Sequence, residues 1–462
     1  MIETDKIKRV YLLGIGGIGM SALARYFKFF GKQVDGYDKT SSPLTLDLEN
    51  EGIAVHYEDD LQKVPTLAEK DSTVIIYTPA VPDDFAEFRY FRENGFPVYK
   101  RSAVLGLLTA GKRCLAIAGT HGKTSVTTMT AHLLKQSHLD CSAFMGGISK
   151  NYGTNLLLPE NNSQFIVVEA DEYDRSFLQL HPELAVITWM DADHLDIYGD
   201  HQSMIKAFAQ FVSQITVGGV LLWKKGLNID CQWNDKIRYY TYSINEPADF
   251  QAKNIRIING SYHFELKTPF GEIADLRLSY PGLMNVENGV AACGLALLSG
   301  VSEEEIRVAL AEYSGVVRRF DLRYSGKKTI YIDDYAHHPR ELEATIRSVR
   351  DLYPGKRITG IFQPHLFSRT KDFAEDFAAA LDLLDDALVM EIYPARELPV
   401  EGVDSSIILN KMKIPGKVRC QKEDFPGILE KYNPEILLTL GAGDIDRLID
   451  PIVNYLTKKE DV

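Results

Sequence analysis

The sequence lacks three features that would each point to a specific class of protein. Among its 462 residues no run approaches about eighteen apolar positions, so we expect no membrane-spanning helix. The first residues also lack the charge, apolar core and cleavage pattern of a signal peptide. The net charge of -13 has the wrong sign for a surface that binds nucleic acid. We therefore expect a cytoplasmic protein that binds neither membranes nor nucleic acid.

Cysteine is scarce and scattered. The five cysteines never form a C-x-x-C pair, and most lie in apolar segments: Cys114, Cys141, Cys231, Cys293 and Cys420. This distribution favours reduced core residues over a disulfide framework or a metal site. Hydrophobic residues at 45% and charged residues at 25% are typical of a globular protein, and the chain is long enough to form several cores.

Strand and helix patterns alternate along most of the chain, which predicts parallel sheets with helices on both faces. Between about Gly218 and Pro281 the pattern changes to short alternating strands. Asn259-Gly260 separates two of these strands and indicates a hairpin. We expect an α/β protein of three domains, 1–107, 108–315 and 316–462, in which the central domain carries an antiparallel appendix.

The stretch "CLAIAGTHGKTSVTTM" contains a candidate phosphate-binding loop, because an apolar strand, two glycines and a helix follow one another there. The unpaired N–H groups and the dipole at a helix N-terminus favour phosphate oxygens. Lys123 would reach the β- and γ-phosphates, and the Thr124 hydroxyl would bind Mg²⁺. The usual loop has glycine where Ile117 stands, so a tight turn with a solvated Lys123 is the alternative. In either case we expect Lys123 to lie in a surface loop.

Two further strands end in side chains that suit a magnesium-nucleotide site. Glu169 ends the apolar run in "FIVVEADE", and His194 follows the run in "LAVITWMDADH". Ligands of open α/β sheets bind beyond the carboxyl ends of the strands, so these two loops and the loop of Lys123 are expected to converge.

The N-terminal stretch "GIGGIGM" matches the dinucleotide-binding pattern G-x-G-x-x-G through Gly14, Gly16 and Gly19. Asp38 stands near the end of the next predicted strand, as in such folds. This pattern alone indicates an NAD-dependent oxidoreductase. The same loop would also bind the diphosphate of a nucleotide-sugar, so both interpretations stay open on this motif.

Taken together and in order, eight stretches resemble the bacterial Mur ligases over nearly the whole chain. They are "GIGGIGMSALA", "GTHGKTSVTT", "EADEYDRSFL", "DADHLDIYG", "GVVRRF", "DDYAHHPRE", "FQPHLFSRT" and "EIYPARE". The resemblance implies an N-terminal Rossmann-like domain that binds UDP, a central ATPase domain and a C-terminal Rossmann-like domain that closes over the site. It also implies that the ATP loop has the shorter form G-T-x-G-K-T, so the mismatch at Ile117 is expected.

The resemblance further implies a role for individual residues. The ATP loop comprises Gly119, Thr120, Gly122, Lys123 and Thr124, and the Mg²⁺ ligands are Thr124, Glu169 and His194. Adenine contacts fall on Asn285 and Asn288, and further nucleotide contacts fall on Arg319 and Asp334. The UDP part is held by Gly16, Gly17, Ile18 and Asp38, the amino acid by Tyr335, His337 and Arg369, and the muramyl moiety by His365. The catalytic residues would be Lys123, His194, Arg319 and His337.

The activity that the resemblance implies is an ATP-dependent ligation in peptidoglycan precursor synthesis, and hence a role in cell-wall biogenesis, cell shape and cell division. L-alanine would be joined to the lactyl carboxylate of UDP-N-acetylmuramate through an acyl phosphate. Attachment of a recycled tripeptide to the same sugar is the nearest rival activity, and "GIGGIGMSALA" and "DDYAHHP" favour alanine. An NAD-dependent oxidoreductase and a non-catalytic ATP-binding regulator are more distant rivals. We expect the chain to be either a monomer or a homodimer.

Two residues depart from the family pattern. Trp189 stands where a common motif has asparagine, and Met284 stands where many members have histidine. Both departures concern the expected surroundings of the nucleotide.

Overall fold

A computed structural model describes residues 6–229, 235–395 and 397–460. Cys231 and Arg396, the latter from "EIYPARE", lie outside the described residues. The contacts within the chain separate two compact units. The first unit comprises Met1–Ile255, Phe264–Arg277 and Glu287–Ser314, and the second comprises Arg256–His263, Leu278–Val286 and Gly315–Val462.

The first sheet has five parallel strands in the order β3-β2-β1-β4-β5. These strands are β1 Arg9–Leu13, β2 Gln33–Tyr37, β3 Ala54–His56, β4 Thr73–Tyr77 and β5 Val98–Lys100. The helices between and after them are α1 Ile18–Phe29, α2 Pro43–Asn50, α3 Ala86–Glu93 and α4 Arg101–Thr109. Strands β2 and β3 are added on one side of β1, and β4 and β5 on the other, so the strand order reverses between β1 and β4. Open α/β sheets bind their ligands at this reversal point.

The second sheet has ten strands in the order β15-β14-β13-β12-β11-β10-β6-β9-β7-β8. The strands of its parallel centre are β6 Arg113–Ala118, β9 Phe165–Glu169, β10 Leu184–Ile187, β11 Val220–Lys224 and β12 Arg238–Ser243. The outer strands are β7 Ser142–Ser149, β8 Thr154–Leu157, β13 Phe250–Ile258, β14 Ser261–Thr268 and β15 Gly271–Leu278. The accompanying helices are α5 Lys123–Lys135, α6 Leu195–Tyr198, α7 His201–Ser213, α8 Leu283–Ser299 and α9 Glu303–Glu312.

The predicted hairpin lies between β13 and β14. Its two turn residues, Asn259 and Gly260, both have positive φ, at 50° and 78°. Those angles are typical of the tight turn whose twist matches a pair of antiparallel strands. The hairpin prediction is therefore confirmed.

The third sheet belongs to the second unit and has six strands in the order β16-β17-β21-β18-β19-β20. The strands are β16 Asp321–Ser325, β17 Ile330–Asp334, β18 Ile358–Phe362, β19 Asp386–Val389, β20 Gly416–Arg419 and β21 Ile436–Leu440. The pairing of β16 with β17 is antiparallel, and the other described pairings in this sheet are parallel. The helices are α10 Pro339–Leu352, α11 Phe367–Asp372, α12 Ala374–Leu381, α13 Ser406–Leu409, α14 Phe425–Tyr432 and α15 Ile449–Glu460.

Three sheets with flanking helices confirm the predicted α/β class, whereas the three domain boundaries stay a prediction. The four described cysteines are buried and unbridged, as the sequence predicted: Cys114, Cys141, Cys293 and Cys420. Of the helices described, none is both long and apolar enough to cross a membrane.

A buried polar cluster lies beside the first sheet. The Tyr11 hydroxyl donates a hydrogen bond of 2.6 Å to Oε2 of Glu87, and it lies 2.7 Å from Nε2 of His56. Glu87 is fully buried, and burial raises the pKa of its carboxyl to about 7. The neutral carboxylic acid is therefore the form that this cluster favours.

This cluster predicts how pH affects stability. The pKa of Glu87 is higher in the folded chain than in the unfolded chain. The protonated carboxyl therefore contributes its full stability below the unfolded pKa near 4.5, and this contribution is lost as pH rises through about 7. Glu87→Gln keeps the side chain neutral at both pH values. The unfolding free energy of this variant minus that of the natural protein should therefore be about 2 to 3 kcal/mol larger at pH 8 than at pH 5. Urea unfolding at both pH values measures the change. Asp83→Asn, at a residue whose side chain is 89% exposed, is the control, and an equal change in both variants would contradict the prediction.

Candidate functional site

The loop between β6 and α5 is held in a conformation that only glycine adopts easily. Gly119 and Gly122 have φ values of 132° and 80°. A Cβ on Gly119 would lie 2.8 Å from the backbone nitrogen of Trp189, so no side chain fits there. Thr120 fastens the loop to the neighbouring strand end by a 3.0 Å hydrogen bond from its N–H to the Trp189 carbonyl. The turn therefore presents its backbone at the N-terminus of α5, where anions bind.

Lys123, the first residue of α5, is mostly buried, so the alternative of a solvated lysine does not hold and the expected position in a surface loop is wrong. Its Nζ donates to the Gly119 carbonyl at 2.7 Å and to the Glu172 carboxylate at 2.8 Å. The Lys123 side chain is 13% exposed and that of Glu172 is 0% exposed. The physical reason is that β9 ends beside this loop and brings the buried carboxylate to the ammonium.

The ionisation of this pair is set by burial and by neighbouring carboxylates. Burial disfavours the charged ammonium, but Glu172, Asp171 and Glu169 raise the pKa of Lys123 above its ordinary value. Burial raises the pKa of Glu172 to about 7, against the opposing effect of Lys123. The lysine is therefore a fixed positive charge, and its attraction opposes the protonation of Glu172 that burial favours.

Thr124 and Glu169 form an oxygen pair suited to Mg²⁺. The Thr124 hydroxyl donates to Oε1 of Glu169 at 3.2 Å, and the Gly146 N–H donates to Oε2 at 3.1 Å. A hydroxyl and a carboxylate are the oxygen ligands that magnesium prefers, with the remaining positions taken by phosphate and water. In the part of the chain that the structure describes, no three His, Cys, Asp or Glu side chains form a metal site by themselves. Thr124 and Glu169 therefore fit part of a magnesium site.

His194 follows β10 and approaches the same carboxylates. Its backbone has a positive φ of 52°, which is uncommon for histidine and indicates that its surroundings fix the conformation. Its Nε2 lies 3.7 Å from Oε1 of Glu172, and its ring centroid lies 5.2 Å from that of Tyr173. The structure therefore places Lys123 and His194 on the same buried carboxylate, Glu172.

Asn288 adjoins the phosphate loop from helix α8, because a Cβ on Gly122 would lie 2.8 Å from its Oδ1. Asn285 belongs to the second unit, where its Nδ2 donates to the Pro281 carbonyl at 2.6 Å. The departure at Trp189 also has a structural counterpart: Nζ of Lys224 lies 3.1 Å from the centroid of the indole ring. Beside the phosphate loop, the position where the family commonly has asparagine is thus occupied by an aromatic ring that stacks against the ammonium of Lys224.

The N-terminal glycine loop follows β1 at the reversal point of the first sheet. Gly14 has a φ of 82°, and the Gly16 N–H donates to Oδ2 of Asp38 at 2.8 Å. The Thr40 N–H donates to the other oxygen of Asp38 at 3.2 Å. Asp38 therefore organises the loop in this structure. Gly17 and Ile18 lie at the N-terminus of α1, directly after that loop.

In the second unit, Asp334 fixes the turn that carries Arg319. Its carboxylate ends β17 and accepts hydrogen bonds from the N–H groups of Phe320 at 2.9 Å and Ala336 at 2.8 Å. Burial raises the pKa of Asp334 to about 6, and nearby Arg319 opposes that rise. The guanidinium carbon of Arg319 lies 4.8 Å from the ring centroid of Tyr335. Asp334 is thus a residue that shapes the turn.

His337 brings the other predicted residues of the second unit together. Its ring centroid lies 5.3 Å from that of Tyr335 and 5.9 Å from that of His365. Burial lowers the pKa of His337 to about 3, and the positive charge of Arg369 contributes to that lowering. At neutral pH this imidazole is uncharged and accepts a proton poorly.

Two residues at this site are not distinguished by any pattern in the sequence. Glu172 lies three positions after Glu169, but nothing in the pattern separates a structural carboxylate from one that faces the loop. Arg101 is the first residue of α4 and belongs to no motif, yet its guanidinium lies 4.0 Å from the Asp171 carboxylate. Only the packing of α4 on the segment after β9 brings Arg101 to the site.

The fold and this site define an α/β protein with a glycine-rich phosphate loop beside carboxylates suited to a magnesium-nucleotide. Three family models match successive parts of the chain. They are "Mur ligase family, catalytic domain" at residues 9–113, "Mur ligase middle domain" at 117–296 and "Mur ligase, glutamate ligase domain" at 318–442. The chain belongs to the Mur ligase family.

Individual proteins are similar over the full length. A UDP-N-acetylmuramate–L-alanine ligase of Phocaeicola vulgatus is 50% identical over 462 residues, which is 99% of this chain and 100% of that protein. The structure of UDP-N-acetylmuramate-alanine ligase MurC from Thermotoga maritima has a TM-score of 0.82 at 25% identity, covering 98% of this chain and 99% of that one. A murein peptide ligase from Psychrobacter arcticus has a TM-score of 0.70 at 21% identity, covering 97% and 98%, and shows the fold alone.

The buried pair predicts an asymmetry between two variants. Lys123→Met leaves Glu172 as a buried charge without a partner, so unfolding free energy at pH 8 should fall by about 3 to 5 kcal/mol. The double variant Lys123→Met/Glu172→Gln removes both charges and should recover most of that loss. Urea unfolding measures both. Lys112→Met, at an exposed lysine preceding β6, is the control; equal stability of the single variant and the natural protein would contradict the prediction.

Proposed function

We propose that the protein is an ATP-dependent ligase that joins L-alanine to the lactyl carboxylate of UDP-N-acetylmuramate, in peptidoglycan precursor synthesis. The 50% identity with a whole relative of that name supports this substrate pair. The structural observation that carries the proposal is the loop of Lys123 and Thr124 beside Glu169 and Glu172. A lysine, a hydroxyl and carboxylates at one helix N-terminus are the groups with which nucleotide-dependent enzymes hold phosphates and their magnesium.

The proposed division of labour follows the sheets. Residues 1–107 bind the UDP-sugar at the loop of Gly16, Gly17 and Ile18, which Asp38 holds in place. Residues 108–315 bind ATP through Gly119, Thr120, Gly122, Lys123 and Thr124, with Asn288 beside the loop. Residues 316–462 bind the amino acid through Tyr335, His337 and Arg369, with His365 towards the muramyl moiety. Asn285, Arg319 and Asp334 would complete the nucleotide contacts.

The chemistry requires activation of a poor electrophile. A carboxylate resists attack by an amine until ATP converts it to an acyl phosphate; the amine then adds, a tetrahedral intermediate forms and inorganic phosphate leaves. Both reactants of the first step are anions, so cations matter most there. Lys123 and Arg319 would offset the charge on the transferring phosphoryl group, because positioning and electrostatic stabilisation dominate phosphoryl transfer.

Thr124, Glu169 and His194 would hold Mg²⁺ in the loaded enzyme, where the ion would supply charge neutralisation at the phosphates. The carboxylate of Glu169 is positioned for this by Gly146, where any Cβ would meet it. His194 could accept the proton of the alanine amine only while it does not hold the metal, because an imidazole bound through one nitrogen carries its proton on the other. His337 suits that role less well, since burial lowers its pKa to about 3.

Two rival functions differ in their support. Membership of the Mur ligase family leaves the NAD-dependent oxidoreductase without support, since its only basis is the N-terminal glycine pattern. Attachment of a tripeptide uses the same phosphate site and differs in the size of the amine. The 50% identity with a whole relative named as an L-alanine ligase favours the smaller amine.

The function predicts a defined substrate dependence. With ATP, Mg²⁺ and UDP-N-acetylmuramate, phosphate release should require L-alanine, should be slower with glycine or L-serine, and should be absent with the tripeptide. The double variant Lys123→Met/Glu172→Gln, which we expect to fold, is the inactive control. Phosphate release at equal rates without any amino acid, or faster release with the tripeptide, would contradict the proposal.

A further inference from the structure

Arg101 has an unusual environment for an arginine in the middle of a protein chain. Its side chain is only 23% exposed. In the residues that the structure describes, its guanidinium makes no hydrogen bond, and its one ion pair, with Asp171, is long at 4.0 Å. A guanidinium has five N–H donors, and the long contact with Asp171 is the one polar contact that the described residues give them. The group is therefore placed for a partner that the polypeptide itself does not supply.

One side of this guanidinium faces the N-terminal glycine loop. A Cβ on Gly19 would lie 2.7 Å from Nη1 of Arg101 and 3.2 Å from its Cζ. In the dinucleotide-binding pattern the third glycine allows close packing of helix on strand. Here the space that a side chain at Gly19 would fill belongs to Arg101, so this glycine admits a cation to the first turn of α1.

The other side faces the carboxylates after β9. A small open cleft is lined by residues of both segments, including Arg101, Glu169 and Asp171. Glu169 in turn accepts the hydrogen bond from Thr124 of the phosphate loop. The guanidinium thus lies between the loop that would hold UDP and the residues that would hold the magnesium-nucleotide.

Helix α4 is fixed in this position by two further contacts. Lys100, its N-cap residue, forms an ion pair with Asp174, and Gly106 allows the helix to approach the backbone carbonyl of Gln179 closely. Asp174 has a positive φ of 54°, so the segment holds a conformation that its own residues do not favour. The place of α4, and with it the backbone of Arg101, is therefore set by contacts of neighbouring residues.

We propose that Arg101 binds the lactyl carboxylate of the sugar substrate and orients it for phosphorylation; this inference rests on the proposed function. That carboxylate must lie close to the transferring phosphate, and Arg101 is on the Glu169 side of the glycine loop. The planar guanidinium matches a carboxylate through two parallel hydrogen bonds. The diphosphate is left to the backbone of the loop at Gly16 and Gly17.

The test compares two ligands that share the UDP diphosphate and differ in the lactyl carboxylate, UDP-N-acetylmuramate and UDP-N-acetylglucosamine. Dissociation constants are measured by calorimetry and competition for the natural protein, Arg101→Met and Arg101→Lys. Arg92→Met is the matched control, because Arg92 is 59% exposed and pairs with Asp83 in the same domain. The natural protein should prefer the muramate, and Arg101→Met should reduce that preference by at least about tenfold.

Each outcome decides a different point. A preference that survives in Arg101→Met, equal weakening of both ligands, or no preference in the natural protein would overturn the role of Arg101. Arg101→Lys should retain charge but lose most of the preference, since an ammonium lacks the planar fork. Failure of the folded natural protein to bind UDP-N-acetylmuramate at all would instead count against the proposed function.

Discussion

The buried ion pair between Lys123 and Glu172 is the contact on which the site depends. A carboxylate with no exposed surface costs several kcal/mol unless a cation compensates it, so the lysine and the loop that carries it are fixed together. The same ammonium is the group that a triphosphate requires. If Lys123 binds the triphosphate as proposed, the nucleotide must share or replace the contact of the ammonium with Glu172.

The acidic residues at the end of β9 and directly after it contact several different groups of the site. Glu169 points to Thr124, Glu172 to Lys123, and Asp171 towards Arg101. Each carboxylate thus faces a different group, and these three groups are the ones proposed to hold the metal, the phosphate and the sugar acid. Helix α4 completes this arrangement, because it brings an arginine that follows the last strand of the first sheet onto the segment after β9.

Sequence patterns predicted the features that are local. The strand, glycine turn and helix around Gly119 to Thr124, the hairpin at Asn259, and the α/β class all follow from short-range rules. The burial of Lys123, the role of Glu172 and the position of Arg101 depend on neighbours distant in the sequence, so no periodicity or spacing contains them. Resemblance to the family supplied the residue roles, and these roles stay predictions.

The central claim is that the turn before α5 binds the triphosphate through Lys123. Calorimetric titration of ATP with Mg²⁺ into the natural protein and into Lys123→Met/Glu172→Gln tests it most directly, with unfolding curves to show that both are folded. The account predicts saturable binding to the natural protein and its loss in the double variant. Undiminished binding by the double variant, or no heat of binding in the folded natural protein, would contradict it.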